Sequence, residues 1–323
     1  MITLSKIAKL AHVSVSTVSK AFSMSEDVNS ETREMIFDIA RQYGCFKKYY
    51  RAKYPRHVIA VICPEFKSRH YSYALSQLQE YLTEYNCEIC VASTDFSVQT
   101  RQTLLEYYNQ YTTVDGVILI DGKTEIDPCI EIPVVTVGSA NCANSTVSVT
   151  TSYKEALAES IEYFLSKGVT QIGFVGETLT KGKLDLFRTL LEEKGLPPDE
   201  RLISITDQRF EQGGYSAMEK IFLSGNLPRA LICAYDYMAI GAIRCIYDRG
   251  LTVPEDIAVL GMDDIPECSY LNPPLSSIHS HLGEACKIAA DAMIDCLSGN
   301  LVRKTITVQP QLHLRKSTEI SYE

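Results

Sequence analysis

Val15, Ser16 and Lys20 are the residues whose types and spacing point most directly to chemistry. They sit in Val15-Ser16-Thr17-Val18-Ser19-Lys20-Ala21-Phe22, where Val18, Ala21 and Phe22 recur at helical spacing and can face inward. Methyl groups, a hydroxyl and a cation are then left pointing outward. Groups of these kinds are the ones that meet thymine methyls and the donors and acceptors of base edges. Upstream, Leu4, Ile7, Ala8 and Ala11 form the apolar stripe of a first short helix, with Thr3 at its cap position. His12-Val13 breaks the chain, and Ser14 can cap the second helix. A third helix is capped at Asn29 or Ser30, buries Ile36, Ile39, Ala40 and Tyr43, and stops at Gly44. Three short helices with one exposed polar edge predict a helix-turn-helix reader of the major groove.

Charge supports that placement. Residues 1–57 hold ten Lys/Arg against five acids, a net +5 within a chain of net −9, which leaves −14 for the rest. A basic head on an acidic body concentrates phosphate attraction at one end. Between Gly44 and the first strand runs a basic, aromatic linker, residues 46–57, without an acid. There Lys47, Lys48, Arg51 and Lys53 are candidate phosphate contacts, and Pro55 disfavours helix at Tyr54.

Beyond residue 58 the pattern alternates between buried strand and amphipathic helix. Val58–Ile62, Glu88–Ala92, Gly116–Ile120 and Pro133–Val137 read as strands of a first series. Gln171–Val175, Leu202–Ile205, Ala230–Cys233 and Ile257–Leu260 belong to a second. The alternation predicts an α/β core of two Rossmann-like lobes with parallel sheets, ligands binding beyond the strands' carboxyl ends. Eleven cysteines, an odd number scattered over strands and helices, argue against a disulfide framework and for a reducing compartment. Cys87 and Cys90 have metal-like spacing but fall in a strand, where they face opposite sides. His279 and His281 read as hydrogen-bonded loop histidines, since no Cys, Asp or Glu set converges on them in sequence. No cofactor or metal is expected. No apolar run is long enough to cross a bilayer and no signal peptide precedes the first helix, so a cytoplasmic location is expected.

Several segments together resemble the lactose-repressor (LacI/GalR) family of bacterial transcription regulators. Residues 3–20, T-L-S-K-I-A-K-L-A-H-V-S-V-S-T-V-S-K, and Val28-Asn29-Ser30-Glu31-Thr32-Arg33 are similar to its head. Ala234-Tyr235-Asp236-Tyr237-Met238-Ala239-Ile240-Gly241-Ala242 and Val253-Pro254-Glu255-Asp256-Ile257-Ala258-Val259-Leu260-Gly261-Met262-Asp263-Asp264 are similar to two segments of its core, and Pro273-Pro274-Leu275-Ser276-Ser277-Ile278 follows. The resemblance implies a three-helix head (1–45), a hinge (46–57) and a periplasmic-binding-protein-like core (58–323). In that core lobe 1 takes about 58–151 and 281–307, and lobe 2 about 152–280 and 308–323. It implies a homodimer on operator DNA of two half-sites, switched by a small polar effector, sugar-like in chemistry, bound between the lobes.

Carried over by position, the DNA-binding candidates are Ser5, Val15, Ser16, Thr17, Lys20, Asn29 and Thr32, joined by the linker cations. The effector candidates are Tyr71, Asn141, Lys183, Arg209, Phe210, Tyr235 and Asp263. Lys183 stands where relatives often place arginine, Tyr235 replaces a frequent asparagine, and His12 replaces a turn glycine. The linker lacks the family's A-R-x-L stretch, leaving Tyr50 or Tyr54 as any minor-groove wedge. The alternatives are a sugar-binding module without a regulatory role and, remotely, an enzyme. Against catalysis, there is no G-x-S-x-G and no G-x-G-x-x-G. Five residues separate Gly176 from Gly182-Lys183, one too many for a phosphate loop, and Leu184 stands where a magnesium-binding hydroxyl belongs.

Overall fold

The computed structural model describes residues 2–50, 56–112, 114–120, 125–138, 142–300 and 303–320. The head contains α1 (Leu4–Leu10), α2 (Val15–Phe22), α3 (Ser30–Gln42) and α4 (Phe46–Tyr50). Each of the first three starts where a side chain replaces a missing intrahelical acceptor. Thr3 accepts from the Lys6 N–H, Ser14 from Thr17 and Asn29 from Thr32. His12 takes φ 53° in the turn and Gly44 takes φ 63° after α3. Histidine is among the residues that tolerate this region best. Ile7, Val18, Ala21, Phe22, Ile36, Phe37 and Ala40 close one small core.

At the start of the linker, residues 46–50 form α4, whose rings cover the head: Phe46 lies edge-on to Phe37 at 5.1 Å and stacks on Tyr50 at 4.7 Å. Tyr50 also meets Phe37 edge-on at 5.6 Å, and Tyr49 donates to the Ile2 carbonyl. Tyr50 is therefore part of the head's aromatic packing, and would have to leave Phe37 and Phe46 to enter a minor groove; Tyr54 lies outside the described residues. The physical reason is burial: three rings on one turn have more to gain against Phe22 and Phe37 than in water.

The chain divides into two compact units. Unit 1 comprises Met1–Thr150 and Gly283–Ile306, and unit 2 Thr151–Leu282 and Thr307–Glu323. In unit 1, β1 (His57–Cys63), α5 (Arg69–Glu84), β2 (Cys87–Ser93), α6 (Val98–Tyr111), β3 (Gly116–Ile120), β4 (Val134–Gly138) and β5 (Val147–Thr151) alternate. Its sheet runs β2-β1-β3-β4-β5 and ends on β11 (Lys304–Val308). The central strands are buried along nearly their whole length, as expected of parallel strands covered on both faces.

Unit 2 carries α7 (Lys154–Ser166), β6 (Ile172–Glu177), α8 (Lys181–Glu193), β7 (Ile203–Thr206), α9 (Phe210–Ser224), β8 (Ala230–Cys233), α10 (Asp236–Asp248), β9 (Ala258–Asp263) and β10 (Ser276–His279). The chain then enters α11 (Leu282–Leu297), and after β11 returns as β12 (Gln311–His313). The sheet order is β7-β6-β8-β9-β10-β12. All its described pairs are parallel except β10–β12, which is antiparallel. The order reverses between β6 and β8, so their carboxyl ends form a topological switch point, the place where open α/β sheets bind ligands.

Candidate DNA-reading edge and ligand-binding end

In the head, Val15 and Ser16 stand exposed at the first turn of α2, Val15 at 45% exposure, while Val18, Ala21 and Phe22 are buried. Ser5 is exposed on α1. Lys20 is exposed but engaged: its ammonium lies 2.7 Å from Asp27, and that contact holds the Asp27 carboxyl below its usual range. Thr17 gives its backbone N–H to Ser14 Oγ, and the two hydroxyls lie 2.8 Å apart. Asn29 Oδ1 accepts from the Thr32 N–H at 2.7 Å. The backbone donors of Thr17 and Thr32 are thus spent on capping, and phosphate contact there falls to side-chain groups. Lys48 is exposed with its ammonium 5.5 Å from the Tyr49 ring. The side chain of Lys47, and Arg51 and Lys53, lie outside the described residues.

Lys20 must leave Asp27 to reach a base, so the pair competes with recognition. Both partners are exposed, so solvent screens the pair and it is weak. Asp27→Asn should therefore tighten binding to a preferred duplex by roughly two- to five-fold, helped by removing a charge that repels phosphate. Lys20→Ala should weaken it by about 1–3 kcal/mol, the value of a good base contact. Fluorescence anisotropy against a selected duplex and a scrambled one reads both. Equal affinity of Lys20→Ala for the selected duplex would remove Lys20 from the reading edge.

In unit 2 the switch point gathers five of the seven effector candidates. Asp263 ends β9, Lys183 is in the first turn of α8, Tyr235 stands two residues beyond β8 at the start of α10, and Arg209 and Phe210 follow β7. Lys183 Nζ donates to the Ala234 carbonyl at 2.7 Å, lies 3.8 Å from Asp263 Oδ1, and sits 4.6 Å from the Tyr153 ring centre. The Tyr153 hydroxyl donates to Asp263 Oδ1 at 3.2 Å. Beside this group, Arg209 Nε lies 3.1 Å from the buried Glu177 carboxylate, and its guanidinium covers the Phe210 ring at 4.6 Å. The Phe210 N–H donates to the Tyr235 hydroxyl oxygen at 2.9 Å.

Three non-glycine residues here hold positive φ: Phe210 at 57°, Asp263 at 99° and Asp264 at 56°. Such backbone costs on the order of 1–3 kcal/mol per residue and clusters at binding sites. Burial raises the Tyr153 phenol well above its ordinary range and Asp263 adds to it; burial also raises Tyr235. Both phenols therefore stay neutral donors. Asp236, buried behind Asp263, is pushed up to about 7 by desolvation and then by the Asp263 charge. It accepts from Ser277 Oγ at 2.6 Å and the Ile265 N–H at 2.9 Å, holding the strand ends together. The end of this sheet thus offers a carboxylate, an ammonium, a guanidinium and aromatic faces, a set suited to a small polyhydroxylated ligand.

Tyr71 lies in unit 1 on α5, beside His70 at 5.2 Å and Phe96 at 6.2 Å; Asn141 lies outside the described residues. Tyr153, Glu177 and Asp236 were missed as site residues. A tyrosine before a helix, a glutamate ending a strand and an aspartate opening a helix carry no local sign of convergence.

The reading of His279 as a loop histidine is corrected. His279 is the last residue of β10, and tertiary pairing brings it to Asp264 and His313. Burial pushes the Asp264 carboxyl up, but Arg315 and His313 outweigh it and hold it below its ordinary value.

A helix-turn-helix head joined to two parallel α/β units with ligand-binding chemistry at a switch point defines a DNA-binding regulator with a sensory core. Residues 3–45 match the bacterial regulatory proteins of the lacI family, and residues 161–318 match a periplasmic binding protein-like domain. The chain is 25% identical to catabolite control protein A of Priestia megaterium, covering 98% of this chain and 99% of that protein. Two solved structures share its fold. One is a lac repressor dimer bound to operator and the anti-inducer ONPF (TM-score 0.74, 20% identity, 98% and 99% coverage). The other is a complex of the transcriptional regulator CelR with cellobiose (TM-score 0.69, 22% identity, 98% and 100% coverage). The chain thus carries a lacI-family DNA-binding domain followed by a periplasmic binding protein-like domain, and it is similar over nearly its whole length to a bacterial catabolite control protein.

Proposed function

We propose that this protein is a transcriptional repressor that binds an operator of two half-sites as a homodimer and is switched by a sugar or sugar derivative. The observation that carries the DNA half is the α2 edge, with Val15 and Ser16 exposed over a closed head core. Phosphate contacts from the head and its basic linker orient it, and base contacts select the site. A single head buries too little surface for tight specific binding, which calls for a symmetric pair. Unit 2 offers apolar surface for that pairing: Leu223 is 77% exposed and Tyr270 88%. The two lie on linked elements, since Arg249 covers Phe222 at 5.2 Å and Tyr247 donates to the Asn272 carbonyl.

The sensory half rests on Asp263, Lys183, Tyr153, Arg209 and Tyr235, and on the sugar carried by the CelR structure. Effector changes operator affinity only to the extent that it binds one conformation of the core better than the other. The core is read as binding its ligand without turning it over, a reading supported by its similarity to DNA-binding regulators. Action on the chromosome places the protein in the cytoplasm; no helix among the described residues is long and apolar enough to cross a membrane.

Selection of bound fragments from genomic DNA, repeated with candidate sugars, tests the whole reading. The expected result is a short two-part sequence whose enrichment changes with one sugar, and a dimer by sedimentation. Equally weak retention of every duplex at low salt would overturn it.

A further inference from the structure

Asp264, His279 and His313 come from three strand ends of unit 2 that are far apart in sequence. β10 and β12 pair antiparallel, with Ser277 opposite His313 and His279 opposite Gln311. His279 and His313 are therefore diagonal neighbours on the same sheet face. Their rings lie parallel, 5.1 Å apart with an interplanar angle of 9°. β9 runs parallel to β10 on its other side, with Asp263 opposite His279, so Asp264 follows directly at that edge. Both imidazole Nδ1 atoms face one oxygen: His313 is 2.8 Å and His279 3.2 Å from Asp264 Oδ2. Arg315 approaches the other oxygen, Oδ1, at 2.7 Å, and is itself anchored on the Leu275 carbonyl.

We propose that these three residues form a divalent transition-metal site, with the Nδ1 atoms of His279 and His313 and Oδ2 of Asp264 as ligands. The three ligand atoms lie within 4.8 Å of one another. Tetrahedral zinc, about 2.0–2.2 Å from N and O ligands, needs them roughly 3.3 Å apart, so small side-chain rotations close the set. Two imidazoles and a carboxylate suit zinc, nickel or cobalt better than magnesium or calcium, which prefer oxygen. Arg315 pins the carboxylate with Oδ2 facing the imidazoles, the orienting contact a ligand carboxylate needs. Its positive charge also weakens the ion's binding, so the affinity is expected to be moderate.

The ion would tie β10, just before the chain leaves unit 2, to β12, just after it returns. Occupancy would add stability to the full chain in proportion to metal concentration. This proposal is independent of which effector or operator the protein uses.

The test uses the full-length protein, stripped with a chelator and kept reduced, and titrated with zinc or cobalt chloride. One equivalent should bind, with a rise in melting temperature. The cobalt form should show visible ligand-field bands and no thiolate charge-transfer band, which separates this site from the free cysteines. The double variant H279Q/H313Q should lose affinity by at least about 10–100-fold, the loss typical even for residues that only orient metal ligands. Its metal-free melting temperature should stay near that of the parent. If the double variant binds one equivalent as tightly as the parent, or the parent binds none with metal in tenfold excess, the site is a hydrogen-bonded pair of histidines on Asp264 and the proposal falls. The single variants H279Q and H313Q keep the test usable if the double variant does not fold.

Discussion

Asp263→Asn is expected to abolish the response to effector while leaving effector-free operator affinity within about twofold. The carboxylate ends β9 at the switch point, accepts from Tyr153 and faces the Lys183 ammonium. A sugar hydroxyl donating to it gains a charge-assisted hydrogen bond, worth about 1.5–3 kcal/mol. Asparagine keeps the shape, removes the charge, and places an amide donor where an acceptor is needed. Sugar affinity should fall by roughly 10–150-fold, in line with that range. Calorimetry with the sugar found by selection reads the loss, and anisotropy with and without sugar reads the uncoupling. Undiminished sugar affinity in Asp263→Asn would move the effector away from this end of the sheet. The head carries none of these residues, so a parallel loss of effector-free DNA binding would mean damage to the fold instead.

Gly241→Ala is expected to be among the most destabilising single-methyl changes in unit 2. A Cβ at Gly241 would stand 1.9 Å from the Glu211 carbonyl oxygen, and one at Gly214 2.0 Å from the Met238 carbonyl oxygen. The obstacle in both cases is backbone, so no side chain can rotate away. α9 and α10 would have to separate by more than 1 Å, a spacing on the order of that needed to restore ordinary contact. Overpacking of this kind costs about 1–3 kcal/mol, occasionally more. That corresponds to a fall in melting temperature of roughly 2–12 °C for a unit of this size. The same separation would displace Phe210 and Tyr235, which stand at the starts of these helices, so sugar binding should weaken alongside stability. Gly182, with open space around its Cβ position, supplies the control: Gly182→Ala should leave the melting temperature nearly unchanged. A Gly241→Ala protein melting within 1 °C of the parent, a margin on the order of measurement scatter, would contradict the close-packing account.

The head was legible because its instructions are local. Thr3, Ser14 and Asn29 cap their helices through neighbours three residues on, and the apolar stripes of α1 to α3 close on each other without distant help. The central strands were legible for a similar reason: a run such as Val58–Ile62 has no polar face and must be covered on both sides. Boundaries shifted by a residue, as with β1, which runs from His57 to Cys63. The edge strands β11 and β12 and the strand β10 were not read, because four residues of mixed character such as Ser276–His279 acquire strand geometry only from a partner.

What the residues determined alone was therefore the three helices of the head with the exposed edge of α2, and the alternation of buried core strands with helices. Tertiary structure decided the rest. It folded Tyr50 into the head's aromatic cluster, set Asp27 against Lys20, brought Tyr153 to Asp263, and placed His313 on the face of His279. Capping and periodicity act over one or two helical turns and leave their mark within that span. Convergence of side chains depends on strand order and register, which the chain fixes only when distant segments bury surface against each other.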